Sequence, residues 1–198
     1  MKFKSEKMHK VKSNYIYICF ALYIMTLFIN NLTFYMMYEV LEKSVKIIRY
    51  VLYIIFAFRI LSNWKNGKNI TIPTIIAIIT SVLVCIYSKN IDIGILVLSI
   101  MALRDTDFDK LIKISFYIFT TMFCIIVSLS LLKILPDWTY TRSDSGIVRH
   151  SLGFYYPTIT IGLYLAMVLM YFYIRRNKCS WLEILVLETM NVFLYSYT

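Results

Sequence analysis

The stretch from Leu111 to Leu135, LIKISFYIFTTMFCIIVSLSLLKIL, decides the structural class of this protein. Its only charged residues, Lys113 and Lys133, stand near its two ends. A helix needs about 20 mostly apolar residues to cross the roughly 30 Å hydrocarbon core of a bilayer, and this run is long enough. Across all 198 residues, 60% are hydrophobic and only 16% are charged, whereas a soluble domain carries about 25% charged residues. The sequence therefore predicts that lipid is the main solvent of the chain.

Other apolar runs lie on both sides of this stretch. They extend over residues 15–38, 45–61, 70–87, 91–103, 152–174 and 181–198. The run 91–103 is a weaker candidate for a span because it is short, and 181–198 is weaker because it stops with the sequence. We therefore predict an all-α, polytopic integral membrane protein of about seven transmembrane segments. A basic tail, 1–14, precedes a single membrane domain, 15–198.

The distribution of Lys and Arg predicts the orientation of the chain. Cytosolic loops of membrane proteins are enriched in these residues. With a cytosolic N-terminus, the inner segments hold five, two, three and three of them, together 13, and the outer segments hold two, one and two, together 5. A single crossing over 70–103 would invert the rest of the chain and weaken this asymmetry. We expect a cytosolic N-terminus in the bacterial plasma membrane, and an external loop over 136–150.

The net charge of +10 does not point to nucleic acid, since the basic residues lie in short stretches between apolar runs and do not line a helix face. The four Cys and two His residues show no spacing typical of a metal site. No nucleic-acid partner, metal or other cofactor is expected.

Ionisable residues inside apolar runs have two interpretations. A charge within a span is costly and suggests function, but long side chains near helix ends also extend to the headgroups. For Arg49 the two interpretations are equally good, and for Lys133 extension to the headgroups is favoured. Glu183 completes S-W-L-E from Ser180, which predicts a capping box at the start of the last helix. Glu188 lies deeper and needs a partner or a proton.

The sequence D-T-D-F-D over residues 105–109 is similar to the D-x-D by which many glycosyltransferases hold a metal and a sugar diphosphate. A membrane transferase would need this motif on the external face, and the predicted orientation places it inside. We favour a solvated loop whose acidic residues lie near the first turn of the next helix, where they interact favourably with its dipole.

The sequence R-H-S-L-G-F-Y-Y-P-T over residues 149–158 is the most informative candidate site. Gly153 permits close backbone approach and Pro157 frees a carbonyl, so the outer start of this helix can be irregular and line a polar pocket. Arg149 can then present its guanidinium to an anion, and this group matches phosphate oxygens in a bidentate manner. An interfacial Arg at a helix start is the alternative.

This stretch resembles the R-x-S-L-G-F-x-x-P signature of the Wzy-type polysaccharide polymerases, which are related to the O-antigen ligases. An external loop, L-P-D-W-T-Y-T-R-S-D-S-G, precedes it and an R-R-N-K inner turn follows, as in that family. Members often have His and Asn where this chain has Tyr156 and Thr158. They are also typically much longer, with a second large external loop, so the chain is expected to correspond to an N-terminal half and to be a truncated form, and an inactive gene product is a further interpretation.

The resemblance implies transfer of a growing glycan from one undecaprenyl diphosphate carrier to a sugar hydroxyl of another lipid-linked repeat, which makes capsular or exopolysaccharide. Arg149 is the expected catalytic residue, since it would stabilise the leaving diphosphate. The expected substrate-binding residues are Arg49, Arg142, His150, Gly153 and Pro157. The general base is not identified, and His150 is a candidate by position. Expected partners are the undecaprenyl-diphosphate-linked oligosaccharide, membrane lipid, and the flippase and chain-length regulator of such a gene cluster.

Two other functions fit the same sequence. One is an O-antigen-ligase-like glycan transferase that moves a finished glycan from the same carrier to another acceptor. The other is a non-enzymatic protein of the polysaccharide export or flippase type. A transporter predicts polar residues at mid-membrane on several helices, whereas most ionisable groups here gather at the outer ends. That distribution favours an external site.

Overall fold

The structure, a computed structural model, describes residues 2–65, 72–88, 92–141 and 146–198. About 80% of it is helical, which confirms the all-α class. The helices are α1 Lys2–Asn30, α2 Thr33–Met37, α3 Glu39–Lys65, α4 Ile72–Ser88, α5 Asp92–Ala102, α6 Phe108–Leu131, α7 Pro157–Arg175 and α8 Trp181–Tyr197. Two short strands are added to them, β1 Thr139–Thr141 and β2 Val148–His150.

Two helices among the described residues, α6 and α7, are long and apolar enough to cross a membrane. Their most apolar windows have mean hydropathy values of 2.1 and 1.7, and only 22% of each window is buried inside the protein. Large apolar side chains such as Phe58 and Leu165 are exposed as well, at 72% and 55%. A bilayer solvates such surface, so these helices support membrane association. The number of spans and the orientation of the N-terminus stay predictions.

The chain forms two compact units. The first comprises Met1–Tyr23 and Lys46–Asp107, and the second comprises Ile24–Val45 and Phe108–Thr198. In the first unit, α4 packs on α5. The Tyr23 ring meets the fully buried Phe56 edge to face, with centroids 6.1 Å apart. The Tyr17 hydroxyl accepts a hydrogen bond from the Asp107 amide at 3.1 Å, which anchors the turn after α5.

Aromatic side chains form the core of the second unit, in which α6 packs on α7 and α7 on α8. Phe28, which is 1% exposed, contacts Phe119 edge to face at 4.8 Å. Phe154 is fully buried and lies against both Phe28 and Phe123, at centroid distances of 6.4 and 6.0 Å. Phe154 thereby fixes the segment before α7 onto the helices.

The first apolar run, 15–38, is not one helix, because the chain breaks after Asn30 and resumes at Thr33. The break is stabilised by the segment before α7. The Tyr155 amide donates to the Asn31 carbonyl at 2.8 Å, the Thr33 amide donates to the Gly153 carbonyl at 3.1 Å, and Leu32 pairs with Phe154 in an antiparallel bridge. These bonds satisfy backbone groups that a helix would otherwise have paired internally.

The bounds of α6 and α7 also differ from the apolar runs 111–135 and 152–174. Helix α6 ends at Leu131, and Lys133 has a positive φ of 58°, so the chain turns there. Helix α7 begins only at Pro157, after Leu152 and Gly153 at φ 53° and 85°. An irregular start of this helix was predicted from Gly153 and Pro157, and the structure shows it.

The capping box at the start of α8 is confirmed. The Ser180 hydroxyl accepts from the Glu183 amide, and the Glu183 carboxylate accepts from the Ser180 amide. Together these bonds satisfy two of the donors that a helix start leaves unpaired.

Candidate functional site

A two-stranded β-ribbon, formed by β1 and β2, lies within the predicted external loop. The strands are antiparallel, and the register places Tyr140 opposite Arg149 and Thr139 opposite His150. Directly opposite residues of an antiparallel pair project from the same face. Arg149 and Tyr140 therefore share one face of the ribbon, and His150 and Thr139 share the other.

Asp137 anchors the base of this ribbon to the turn that follows it. Its Oδ1 accepts from the Leu152 amide at 2.8 Å and from the Ser151 hydroxyl at 3.4 Å, and its Oδ2 lies 2.6 Å from His150 Nδ1. The Ser151 hydroxyl in turn accepts from the Trp138 amide at 3.0 Å. One carboxylate thus holds consecutive residues of the motif in place.

The turn after the ribbon requires glycine at position 153. Gly153 has φ 85°, which side chains with a Cβ rarely adopt, and it lies against α6. A Cβ at this position would lie 3.1 Å from Ile126 Cγ2 and 3.3 Å from Ser130 Cβ. The Gly153 carbonyl accepts from the amide and hydroxyl of Thr33, both at 3.1 Å. Gly153 thus permits both the close approach and the turn that joins the motif to the break after α1.

An aromatic cluster consists of Trp138, Tyr140, Tyr155 and Tyr156, and one of its members, Tyr140, is the cross-strand partner of Arg149. Ring centroids in this cluster are 5.3 Å apart for Trp138 and Tyr155, 4.3 Å for Tyr155 and Tyr156, and 5.3 Å for Tyr140 and Tyr156. The Tyr140 hydroxyl donates to the Tyr155 carbonyl at 2.8 Å. Desolvation by burial, and then the neighbouring Tyr155, raise the pKa of Tyr140, so this phenol stays a neutral donor.

Arg149 is half-buried. Its guanidinium has no hydrogen-bond or ion-pair partner among the residues that the structure describes. An Arg side chain without an internal partner, next to aromatic rings, can bind an anion while the rings pack against apolar faces of the same ligand.

His150 projects from the opposite face of the ribbon. Its ring stacks on Tyr197 near the end of α8, with centroids 4.4 Å apart and planes at 21°. Since Nδ1 lies beside the Asp137 carboxylate, the hydrogen-bond network assigns the proton to Nδ1 and leaves Nε2 as the acceptor.

Four of the six candidate residues lie in one continuous segment, because Arg149, His150, Gly153 and the buried Pro157 all belong to the motif. Arg49 belongs to the first unit, where its Nη1 donates to Asp92 Oδ1 at 2.8 Å and its side chain is only 9% exposed. Arg142 lies outside the described residues.

The acidic stretch 105–109 has other contacts. Asp109 accepts from the Tyr173 hydroxyl at 2.8 Å and pairs with Arg176 at 3.0 Å, so it links the start of α6 to the end of α7. Glu188 is exposed and lies 3.5 Å from the Asn191 amide nitrogen on the same helix. Within the described part of the chain, no group of three or more His, Cys, Asp or Glu residues could hold a metal ion.

Sequence reasoning missed Asp137 and the aromatic partners of the motif. The stretch D-W-T-Y carried a usable pattern, since Thr139 to Thr141 and Val148 to His150 are short β-prone segments on either side of S-D-S-G. The stacking of Tyr197 on His150 had no such pattern. Comparisons with protein-family models, with curated proteins and with solved structures gave no match.

Proposed function

We propose that this protein is a polymerase of lipid-linked glycans, in which Arg149 binds the diphosphate of an undecaprenyl carrier. The observation that carries the proposal is the half-buried residue Arg149, whose guanidinium lacks a partner among the described residues and which pairs across the ribbon with Tyr140 of the aromatic cluster. The proposal includes about seven transmembrane segments, a cytosolic N-terminus and the bacterial plasma membrane. The resemblance of residues 149–157 to the Wzy-type signature gives the substrate class.

The chemistry needs charge stabilisation on one side of the bond that breaks. When a glycan leaves its carrier, negative charge accumulates on the diphosphate, and a guanidinium can donate two parallel hydrogen bonds to it. Aromatic rings such as Trp138 and Tyr155 can pack against the C–H faces of a sugar while their polar groups form hydrogen bonds. Arg149 and the aromatic cluster therefore suit the two halves of a glycosyl diphosphate.

His150 is the candidate general base for an acceptor hydroxyl that approaches the ribbon from the face opposite Arg149, because the two side chains project from opposite faces. Its Nδ1 is held by Asp137, which fixes the ring and leaves Nε2 free to accept a proton. The ring is also positioned by its stacking on Tyr197. The contact with Asp137 supports the assignment of His150 as the base, which the sequence suggested only from its position.

Binding of the carrier tests the role of Arg149 directly. The purified chain in detergent micelles should bind undecaprenyl diphosphate more tightly than undecaprenol. We expect Arg149→Ala to weaken diphosphate binding by roughly tenfold to a hundredfold, as the loss of hydrogen bonds to a charged group implies. Arg149→Lys should restore only part of it, since an ammonium is a point charge. The matched control Lys133→Gln removes one exposed cation of the same unit and should leave binding unchanged.

The reaction is tested in cells that make lipid-linked repeat units and depend on this protein for polymer. Arg149→Ala should leave single repeats on the carrier, visible as the loss of the glycan ladder on a gel. Polymer of wild-type length in the Arg149→Lys variant would contradict the proposal.

A second candidate is a flippase-type protein that moves the same lipid-linked glycan. The observation that favours it is the Arg49–Asp92 ion pair, since paired ionisable residues within membrane helices often mark a transport pathway. Arg49→Gln together with Asp92→Asn would then stop export of the repeat unit, whereas it should leave export intact in a polymerase. A ligase differs from a polymerase only in its acceptor, so the length of the transferred glycan distinguishes these two.

A further inference from the structure

A basic pocket of about 310 Å³ lies at the end of the second unit where α6 begins and α7 ends. Its lining includes Asp109, Lys113, Tyr173, Arg175, Arg176 and Lys178. These residues come from the first turns of α6, the last turn of α7 and the 3₁₀ turn that follows it. The pocket is separate from the motif around Arg149, which precedes the opposite end of α7.

The charges of the basic pocket are not balanced. Arg176 pairs with Asp109 at 3.0 Å, and Arg175 pairs with Glu183 of α8. Lys113 and Lys178 are exposed, and no hydrogen bond or close ion pair of either ammonium group occurs among the described residues, although Lys113 lies near enough to Asp109 to lower the pKa of that carboxyl. The four basic side chains of the pocket face only two carboxylates, Asp109 and Glu183, so the pocket keeps a net positive charge and attracts an anion.

An apolar groove of about 510 Å³ lies between α6, α7 and α8. Its walls include Phe123, Met167 and Val186, and almost all of its lining surface is apolar. Glu183 lines this groove, and the same side chain pairs with Arg175 of the basic pocket. The groove and the basic pocket are therefore adjacent and share one ion pair at their boundary.

We propose that the basic pocket and the apolar groove together bind one anionic phospholipid. The phosphate lies between Lys113 and Lys178, and one acyl chain lies in the groove. A basic pocket between membrane helices is a recognised form of anionic headgroup site, and the groove adds the apolar surface that a soluble phosphate could not use. A zwitterionic lipid fits less well because its headgroup carries no net charge. In the proposed orientation this site faces the cytosolic leaflet.

The test is native mass spectrometry of the delipidated full chain with added lipid. Phosphatidylglycerol and phosphatidylcholine with the same acyl chains are compared, and glycerol phosphate serves as the headgroup without chains. We expect several-fold more adduct with phosphatidylglycerol than with phosphatidylcholine. Equal occupancy by the two lipids would overturn the proposal. So would competition by glycerol phosphate at the same concentration, since that result describes an anion site that does not need the groove.

Two matched double variants separate this site from general charge. Lys113→Gln with Lys178→Gln should remove the preference for phosphatidylglycerol. Lys43→Gln with Lys133→Gln removes two positive charges from exposed positions outside the site. This double variant should retain the preference for phosphatidylglycerol. An equal loss in both double variants would overturn the proposal. All four side chains are exposed, so neither variant loses a buried contact.

A third variant tests the groove. Val186→Phe adds volume at an exposed position of its wall and should reduce phosphatidylglycerol adducts. Circular dichroism confirms that the variant retains its helices. Unchanged lipid adducts in a folded Val186→Phe variant would show that the acyl chain does not occupy the groove.

Discussion

The Asp137 carboxylate accepts a hydrogen bond from the backbone amide of Leu152 at 2.8 Å. Leu152 is only 2% exposed and has φ 53°, a conformation that costs a residue other than glycine about 1 to 3 kcal/mol. This bond therefore compensates a strained residue at the centre of the candidate site. It also links the base of the ribbon to the turn that Gly153 completes.

Asp137→Ala should destabilise the chain by about 1 to 3 kcal/mol, because it leaves the Leu152 amide without its acceptor. Asp137→Asn should cost less, since its carbonyl oxygen can still accept from that amide. Thermal unfolding of the purified chain in detergent measures the difference. Glu39→Ala is the control, since the Glu39 side chain is 76% exposed and its surface ion pair with Lys43 should contribute little to the unfolding temperature. Equal losses for the Ala and Asn variants would show that the acceptor oxygen is not what matters.

Gly153→Ala should be among the most destabilising single-methyl changes in the chain. It combines positive φ with a Cβ contact of 3.1 Å to Ile126 on α6, so we expect a loss of roughly 2 to 4 kcal/mol. Gly146→Ala has φ 68° but nothing within 4 Å, and should show only the backbone cost. Gly162→Ala lies in α7 with nothing within 4 Å and should be neutral or stabilising. Unfolding temperatures in any other order would contradict this account.

His150 and Tyr197 should be energetically coupled through their stacked rings. A double-mutant cycle of His150→Ala and Tyr197→Ala should give a coupling of about 0.5 to 1.5 kcal/mol in unfolding free energy. The Phe193 ring also stacks on Tyr197, with ring centroids 6.1 Å apart. Additive effects of the two substitutions would mean that α8 is not held to the ribbon by this contact.

Asp92→Asn should destabilise the protein more than the 41% exposure of the Asp92 side chain suggests. It removes the Asp92 carboxylate from Arg49, whose side chain is only 9% exposed, and taking one charged partner from a buried cation is strongly destabilising. Adding Arg49→Met should recover much of the loss, because the pair is then replaced by groups that need no counter-ion. Protein yield in the membrane and unfolding temperature report the effect. A double variant that is worse than Asp92→Asn alone would indicate that Arg49 has a further role, such as contact with the carrier diphosphate.

The orientation can be tested with reporter fusions after Lys68, Trp138 and Asn177. The 13 to 5 distribution of basic residues predicts that only the Trp138 fusion is exported and becomes active as alkaline phosphatase. An exported Asn177 fusion would reverse this orientation and would remove Arg149 from the external face.

Features set by local sequence could be predicted. The capping box of Ser180 and Glu183 depends on residues three positions apart, and the irregular segment before α7 follows from Gly153 and Pro157. The two long helices α6 and α7 follow from uninterrupted apolar runs, although their ends do not. Lys133 at φ 58° ends α6 through a turn that hydropathy does not register.

Features that depend on distant residues could not be predicted. Arg49 and Asp92 are 43 positions apart, and neither residue signals the other in the sequence. The break at 31–32 lies inside a run that reads as one helix, and it forms because Tyr155 and Gly153 supply backbone partners. In the candidate site, the roles of Arg149 and His150 came from resemblance and position. Their contacts with Tyr140, Asp137 and Tyr197 come from the fold.

The bond between Thr33 and Gly153 has a consequence for the timing of biosynthesis. The two residues are 120 positions apart, and ribosomes add about 5 to 20 residues each second. Thr33 is therefore incorporated into the chain roughly 6 to 24 s before its acceptor carbonyl exists. Throughout that interval the N-terminal helices are made without the segment that stabilises their interruption. The break after Asn30 can reach its final form only after Gly153 has been synthesised, so residues 31–33 acquire their backbone partners late in the synthesis of the chain.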